Sequence, residues 1–289
     1  APFGSNMKSL VWYSPKQFKA NGYTVPKTWD EMTALADKMA ANKQIAFCGG
    51  LGSGGATGWP ATDWVEQIVL REYGATVYND WVSHKVTFSD PKIVSAMQKV
   101  AAWMQNPKWV GDVKAIATTS FQDAGKGIPT GKCMMLQQAS FYGNILADAG
   151  ATISENGDAF AFYLPATNPA VSVPVVGGGE FTAAFAKRPE VVAVQTYLSS
   201  PTFATARVQL DHWVSANSGV PLAAYKDPID RLAAQYLSNP KSTFGFDASD
   251  LMPAAVGAGS EWKEFTAWFG EGKSIADVTK AIDASWPKS

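Results

Sequence analysis

"KSLVWYSPKQFKANGYTVPKTWDEMTALADKM" (residues 8–39) carries the order strand, short helix, turn, long helix. The apolar run Leu10, Val11, Trp12, Tyr13 reads as a short buried strand. Pro15 opens a short helix that ends at Gly22, because proline suits a first helical turn and glycine closes a last one. Thr28 then stands as an N-cap with Glu31 three residues on, the capping-box pattern. Behind it Trp29, Met32, Leu35, Ala36 and Met39 recur on one helical stripe. Strands that alternate with helices define an α/β chain.

The same alternation runs outward from this stretch. Residues 1–7 read as a loop leading into the first strand. Residues 45–48 ("IAFC") read as a strand, followed by a helix from about Pro60 to Tyr73 that Gly74 stops. Asp90 and Pro91 begin another helix through about Gln105. Residues 118–127 read as helical, 133–137 as a strand, 139–150 as a helix and 160–166 as a strand. Residues 173–186 ("VPVVGGGEFTAAFA") look like two strands broken by glycines. Helices follow at 188–200, from Pro201, at 227–239 and, in two pieces, between 260 and 286. No internal repeat or low-complexity linker is evident. The Pro- and Gly-rich stretch 165–178 is the best candidate for a crossover between lobes.

Composition narrows the function classes. The 289 residues suffice for one large domain or two ordinary ones. With 46% hydrophobic and 17% charged residues the chain is globular. A net charge of −1 argues against nucleic acid or an anionic membrane surface as partner. No apolar run approaches the ~18 residues that a membrane span needs. His84 and His212 are the only histidines, which leaves little room for a histidine metal site or a Ser-His-Asp triad. The 11 Trp and 12% aromatics exceed what core filling asks for, a common look for proteins that stack on sugar rings. Cys48 and Cys133 read either as a disulfide or as two buried thiols.

"LGSGGATGWPATDW" (51–64) poses the sharpest question, because glycine loops often cradle phosphate. A P-loop closes on Lys and Ser/Thr; here Trp59, Pro60 and Ala61 close it and no lysine is near in sequence. A dinucleotide fingerprint wants GxGxxG straight after a strand and opening a helix; "GLGSGGATG" can be forced into it, but the Trp-Pro pair that follows weakens it. The alternative is backbone brought close to a neutral polar ligand, with Trp59 as a stacking face; a plain glycine loop around a core Trp is the structural reading. A second cluster, "VVGGGEF" (175–181), ends in Glu180, and "FDASDLMPAAVGAG" (246–259) sets Asp247 and Asp250 ahead of a proline-started helix. Asp63, Glu180, Asp247 and Asp250 could be weighed as a glycosidase pair. Each lies beside glycines or a helix start, where capping or a ligand-hydroxyl role is simpler, with Asp250 or Ser249 as the expected cap.

These motifs, in this order, resemble the extracellular solute-binding proteins of ABC sugar importers. The residues that carry the resemblance are 8–39 with its "PKTWDE", then "SGGATGWPATDWVEQIVLR", "GKCMMLQQASF", "VVGGGEFTAAF", "SPTFATA" and "FDASDLMPAAVGAG". The match is closest to the subgroup that takes α-glucosides, and it covers essentially the whole chain. It implies an α/β, periplasmic-binding-protein-like, two-lobe fold (type II). It also implies that the opening "APFGSNMKSLVWY" is internal sequence, so that most of the first lobe and an export signal, often a lipoprotein one, precede residue 1. Residues 14–168 and 224–289 would form the second lobe, and 1–13 with 169–223 the remainder of the first with its hinge crossovers.

The resemblance further implies a non-catalytic, monomeric sugar receptor, periplasmic or extracellular, that serves the permease subunits of an ABC importer and needs no cofactor or metal. A carbohydrate-active hydrolase is the alternative, and a nucleotide-binding enzyme a third. Cys48 and Cys133 match the subgroup's cysteines and imply a disulfide. The ligand set carried over is Tyr13, Thr57, Trp59, Gln138, Phe141, Gly178, Gly179, Glu180, Asp247 and Asp250. Ser14 stands where the family usually has Asn, which puts substrate choice in question, and a fragment without its first lobe is expected to bind sugar weakly.

Overall fold

The computed structural model describes residues 1–210 and 212–288. In chain order the elements are β1 (Pro2–Met7), β2 (Leu10–Tyr13), α1 (Pro15–Asn21), α2 (Trp29–Ala41), α3 (Trp59–Val82), α4 (Pro91–Met104), α5 (Pro107–Val110), α6 (Val113–Thr118), α7 (Phe121–Ala124), β3 (Met135–Gln137), α8 (Tyr142–Asp148), β4 (Phe160–Tyr163), β5 (Pro174–Phe181), α9 (Pro189–Leu198), α10 (Pro201–Arg207), β6 (Val214–Ser215), α11 (Pro228–Leu237), β7 (Thr243–Phe246), α12 (Ala248–Leu251), α13 (Trp262–Gly270) and α14 (Ile275–Ser285).

The local signals in the opening stretch act as the sequence implies. Ser14 Oγ accepts from Gln17 N, and Gly22 closes α1 at φ 65°. Thr28 Oγ1 accepts from Glu31 N at 3.1 Å. The Glu31 carboxylate returns to Lys27 N at 2.6 Å, one residue earlier than a reciprocal capping box. Met32, Leu35, Ala36 and Met39 are buried, and Trp29 packs half-buried against them.

Two sheets organise the chain. One has the order β6-β1-β5-β7, the other β3-β2-β4. The chain passes between them at Lys8–Ser9 and again between β4 and β5. β5 runs antiparallel to β1 and parallel to β7. Several expectations need correction. Residues 1–7 are not a loop: Pro2–Met7 pair with β5, since the backbone groups there find partners in Gly177–Phe181. Residues 173–186 are not two strands, because Gly177, Gly178 and Gly179 stay extended and paired within β5. Residues 45–48 form only an isolated bridge, Phe47 to Met135. Within 118–127 only Thr118, the last residue of α6, and Phe121–Ala124 are helical. Gly74 (φ 74°, ψ −179°) breaks the helix as expected, but helix resumes directly to Val82.

Helix α3 is the spine. Every residue from Pro60 to Arg71 is buried, polar ones included, so this helix is covered on all sides. It contacts α4, β5, α12, β7 and α13. Cys48 and Cys133 form a disulfide, with Cα atoms 5.6 Å apart and a sequence separation of 85. It ties the start of the glycine loop to the entry of β3. No helix among the described residues is long and apolar enough to cross a membrane.

Candidate ligand-binding site

Gly58 starts α3 in a conformation that L-residues rarely adopt, φ 113°, and a Cβ there would stand 2.2 Å from Trp262 O. Only glycine lets α3 begin against α13. Trp59, next in the chain, is thereby set at the first turn. Its ring centre lies 5.1 Å from Phe121 and 6.3 Å from Phe141, and those two lie 6.4 Å apart. Three elements thus supply three half-buried rings to one surface. Beside it the glycine loop is pinned to the segment before α7 by Gly52 N to Thr119 O (2.8 Å) and Phe121 N to Gly52 O (2.9 Å). An open depression of about 540 Å³ lies along this seam, lined by Ser53, Thr57, Thr118, Ser120 and Gln122 with loop glycines. It contains hydroxyl, amide and backbone groups and no charged side chain. Aromatic faces next to hydroxyl-rich walls bind the two kinds of surface a sugar presents.

Beneath the rings lies a buried ionic network. Lys8 Nζ donates to Asp63 Oδ1 at 2.7 Å and to Asp247 Oδ2. Ser249 Oγ donates to Asp247 Oδ1 at 2.8 Å, and the same oxygen accepts Asp250 N as the N-cap of α12. Glu66 is fully buried nearby, with Ser249 N 3.3 Å from Oε1 and the Tyr78 hydroxyl 3.0 Å from Oε2. Glu261, also fully buried in the π-helical turn Val256–Glu261, has no partner for either carboxyl oxygen among the described residues.

Burial, then the neighbouring carboxylates Asp247 and Asp63, hold Glu66 and Glu261 well above the usual carboxyl range. A protonated Glu66 can donate to Tyr78, whose own proton then goes to Phe246 O at 2.8 Å. Burial also pushes Asp63 up, to about 7, against the pull of Lys8. For Asp247 burial works upward too, but Lys8 and the Ser249 and Asp250 bonds outweigh it and hold the carboxyl low. Burial pulls the Lys8 ammonium down, yet Asp63, Asp247 and Glu66 together raise it above an ordinary lysine. Asp63, Glu66 and Asp247 each place an oxygen within 4.8 Å of the others, a spacing that suits a cation. Two of the three already bond the Lys8 ammonium, so the chain supplies its own cation there.

The structure brings Trp59 and Phe141 together and adds Phe121, which carries no mark in the sequence; Thr57, two residues before Trp59, lines the trough. Gly178 faces the network from β5: a Cβ on it would lie 3.3 Å from Lys8 Cε and from Asn6 Oδ1. Gly179 continues the strand opposite Ser5, and Glu180 is exposed beyond it, opposite Gly4. Asp247 is buried and takes the capping role expected of Asp250 or Ser249, while the Asp250 side chain is exposed. Gln138 is buried, its Oε1 accepting from Ala139 N at 2.8 Å. Tyr13 stands apart at the far end of β2, against Phe18 (4.6 Å) and Phe162 (5.5 Å), and borders a separate depression with Lys16, Lys19 and Glu155. Lys8, Glu66 and Glu261 also went unread. In one dimension a lysine before a strand and a glutamate inside a helix look like surface residues.

Two sheets joined by crossings, with an aromatic and hydroxyl-lined surface at the start of a central helix, make this an α/β protein with a candidate ligand surface at the head of α3. The sequence profile of the bacterial extracellular solute-binding protein family matches residues 1–205, and the chain belongs to that family. It is 36% identical over 290 residues to the alpha-glucosides-binding periplasmic protein AglE of Rhizobium meliloti, covering 99% of this chain and 62% of that protein. It is 34% identical to the osmoprotective compounds-binding protein GgtB of Synechocystis, covering 99% of this chain and 67% of that protein. Among solved structures, the bacterial solute receptor AcbH superposes with a TM-score of 0.77 at 22% identity, covering 98% of this chain and 71% of that one. A chitin oligosaccharide binding protein does so with 0.79 at 16% identity, covering 98% and 69%. These two likenesses establish the fold, the α/β architecture of periplasmic-type binding proteins.

Proposed function

We propose that this protein binds a neutral sugar, an α-glucoside or a related oligosaccharide, outside the cytoplasm and presents it to the permease subunits of an ABC importer, without chemistry of its own. The observation that carries this is the Trp59–Phe121–Phe141 cluster beside an uncharged trough of hydroxyls and amides. The apolar C–H face of a pyranose lies on such rings while its hydroxyls reach Thr57, Ser120 and Gln122. Gly178, Gly179 and Glu180 offer further contacts from the neighbouring sheet. The names of AglE and GgtB support the ligand class. Hydrolysis gains nothing from the geometry, because Asp63 and Asp247 are both committed to Lys8.

The same reading makes the receptor a monomer, free or lipid-anchored. It divides the chain into lobes at 14–168 with 224–289, and 1–13 with 169–223. The crossing between β4 and β5 supports a boundary near residue 168; the first crossing falls at Lys8–Ser9, so β2 pairs in the three-stranded sheet, and β7 pairs in the four-stranded one. Calorimetry with a panel of mono- and disaccharides, maltose and trehalose included, tests the reading. Heat with an α-glucoside is expected. Silence with every sugar, combined with clear binding of an amino acid or peptide, overturns it.

A further inference from the structure

Lys8 occupies the link between β1 and β2, where the chain leaves one sheet for the other. Its backbone joins both: Lys8 N donates to Val176 O of β5 at 2.8 Å, and Lys8 O accepts from Gln137 Nε2 of β3. Its ammonium reaches Asp63 near the start of α3 and Asp247 at the cap of α12, and stands 5.4 Å from the centre of the Trp59 ring. Trp59 and Asp63 are four residues apart on α3, so they share one face of the helix. The ammonium therefore sits between a carboxylate and an indole that belong to successive turns.

We propose that Lys8 is a positioning residue for ligand binding: clamped by Asp63 and Asp247, its ammonium holds the Trp59 ring as a fixed platform on which the sugar stacks. The inference rests on the sugar-binding reading above. Three observations support it. Only 7% of Lys8 is exposed, and its ammonium is bonded to two carboxylates, so it acts through Trp59 rather than on the ligand. A cation over an indole is attracted to the ring face and fixes its tilt. The Trp59 ring is only half-buried, so neighbours on the open side leave it free to swing without that contact. The other titratable groups around the ammonium are Glu66 on α3, Asp250 on α12 and, further off, Glu261; its hydrogen bonds go to Asp63 and Asp247.

The test must separate positioning from plain structural charge balance. Lys8→Met alone strands two buried carboxylates, so the informative variant is Lys8→Met/Asp63→Asn/Asp247→Asn, which leaves the site neutral. Two readouts are taken on the full chain: the dissociation constant for maltose, and the ¹⁹F NMR resonance of 5-fluorotryptophan at Trp59, assigned through Trp59→Phe. The expected result is a folded triple variant whose maltose affinity is at least about tenfold weaker, a loss of ~1.4 kcal/mol. The Trp59 resonance, single and sharp in the parent, should broaden or split. A folded triple variant with parental affinity and one sharp line overturns the proposal. If the parent binds no sugar at all, the functional reading fails instead, and the Trp59 line shape alone decides positioning. If the triple variant does not fold, Lys8→Gln/Asp247→Asn read at pH 5, below the raised value of Asp63, repeats the comparison with the same two outcomes.

Discussion

Lys8 Nζ lies 2.7 Å from Asp63 Oδ1, with 8% and 2% of the two side chains exposed. A single buried pair of this kind roughly balances desolvation against attraction. Here it does not stand alone. Asp247 shares the same ammonium, and Glu66 and Glu261 are buried close by, so one cation meets four carboxyl groups. Charge balance then comes from protons as well as from Lys8. The network ties the helix that presents Trp59 to both sheets, and so couples the protonation of the interior to the surface proposed to take the ligand.

Stability should therefore fall as pH rises from about 5 to 8. The folded-state pKa of Asp63 is raised from 3.8 to about 7, Asp230 is raised to about 6 chiefly by burial, and Glu66 and Glu261 are raised as well. Between the unfolded and folded values the folded chain binds more protons. Stability is lost as pH rises through that window, by up to ~1.4 kcal/mol per group for each pH step of one that separates the two values. Lys8 has the same sign, but its raised value acts only above the unfolded 10.5, outside this window. Asp247, held low, adds stability that is lost only as pH falls below its unfolded 3.8. Thermal melts followed by circular dichroism from pH 4.5 to 8.5 check this; a midpoint that climbs between pH 5 and 8 contradicts it.

Glu261→Gln should stabilise the protein at pH 8 by about 1 kcal/mol and leave it nearly unchanged at pH 5. Both carboxyl oxygens are buried without partners, so ionisation there is opposed by burial and by Asp247 and Asp63. The amide keeps the shape and cannot ionise. Urea titrations at the two pH values give the difference directly. Equal effects at both would place the change in packing rather than in charge.

The opening stretch was legible because its signals are local. Thr28, Pro15 and Gly22 each act on the backbone within a turn of themselves, and the Met32–Met39 stripe needs only the helix period. The errors lie where long-range pairing overrode local cues. Gly177–Gly179 look like a break, yet they stay extended because β1 on one side and, at Gly177, β7 on the other take up their hydrogen bonds. Pro2–Met7 look like a loop, because their partners are some 170 residues away. Of the site, Trp59 and Phe141 stand out as aromatics beside glycine or polar residues. Lys8 and Glu66 have no such mark, and their burial depends on a helix sunk into the core.

Gly58→Ala should be among the most disruptive single methyl additions in the chain. The residue needs φ 113°, and the new Cβ would stand 2.2 Å from Trp262 O, which is backbone and cannot swing aside. A loss of more than ~2 kcal/mol is expected from strain and clash together. Gly55→Ala, which meets open space in the same loop without a positive φ, is the matched control and should change stability by less than about 0.5 kcal/mol. Parallel denaturant unfolding of the two variants settles the comparison.

Opening the Cys48–Cys133 bridge should cost about 2–5 kcal/mol, because it closes a long stretch of chain and fixes the root of the glycine loop to β3. Cys48→Ser/Cys133→Ser is expected to melt lower than the parent by several degrees. Reductant should lower the parent's midpoint toward that of the variant and leave the variant's own midpoint in place. A parent insensitive to reductant under unfolding conditions would show that the bridge adds nothing to stability.

Trp59→Ala should abolish sugar binding or weaken it more than about tenfold while the fold persists, because the ring is half-buried at a helix start and not in the core. Phe121→Ala and Phe141→Ala should each weaken binding less, since each removes a side wall of the platform and not its centre. Tyr13→Phe provides the contrast. Its ring is packed among Phe18 and Phe162 and borders a different depression, so loss of its hydroxyl should leave affinity within about twofold of the parent. Calorimetric titration of the four variants against maltose, each first checked for a parental melting curve, orders the effects. If Tyr13→Phe weakens binding as much as Trp59→Ala does, the ligand reaches the far end of β2 and the site is larger than the aromatic cluster and its trough.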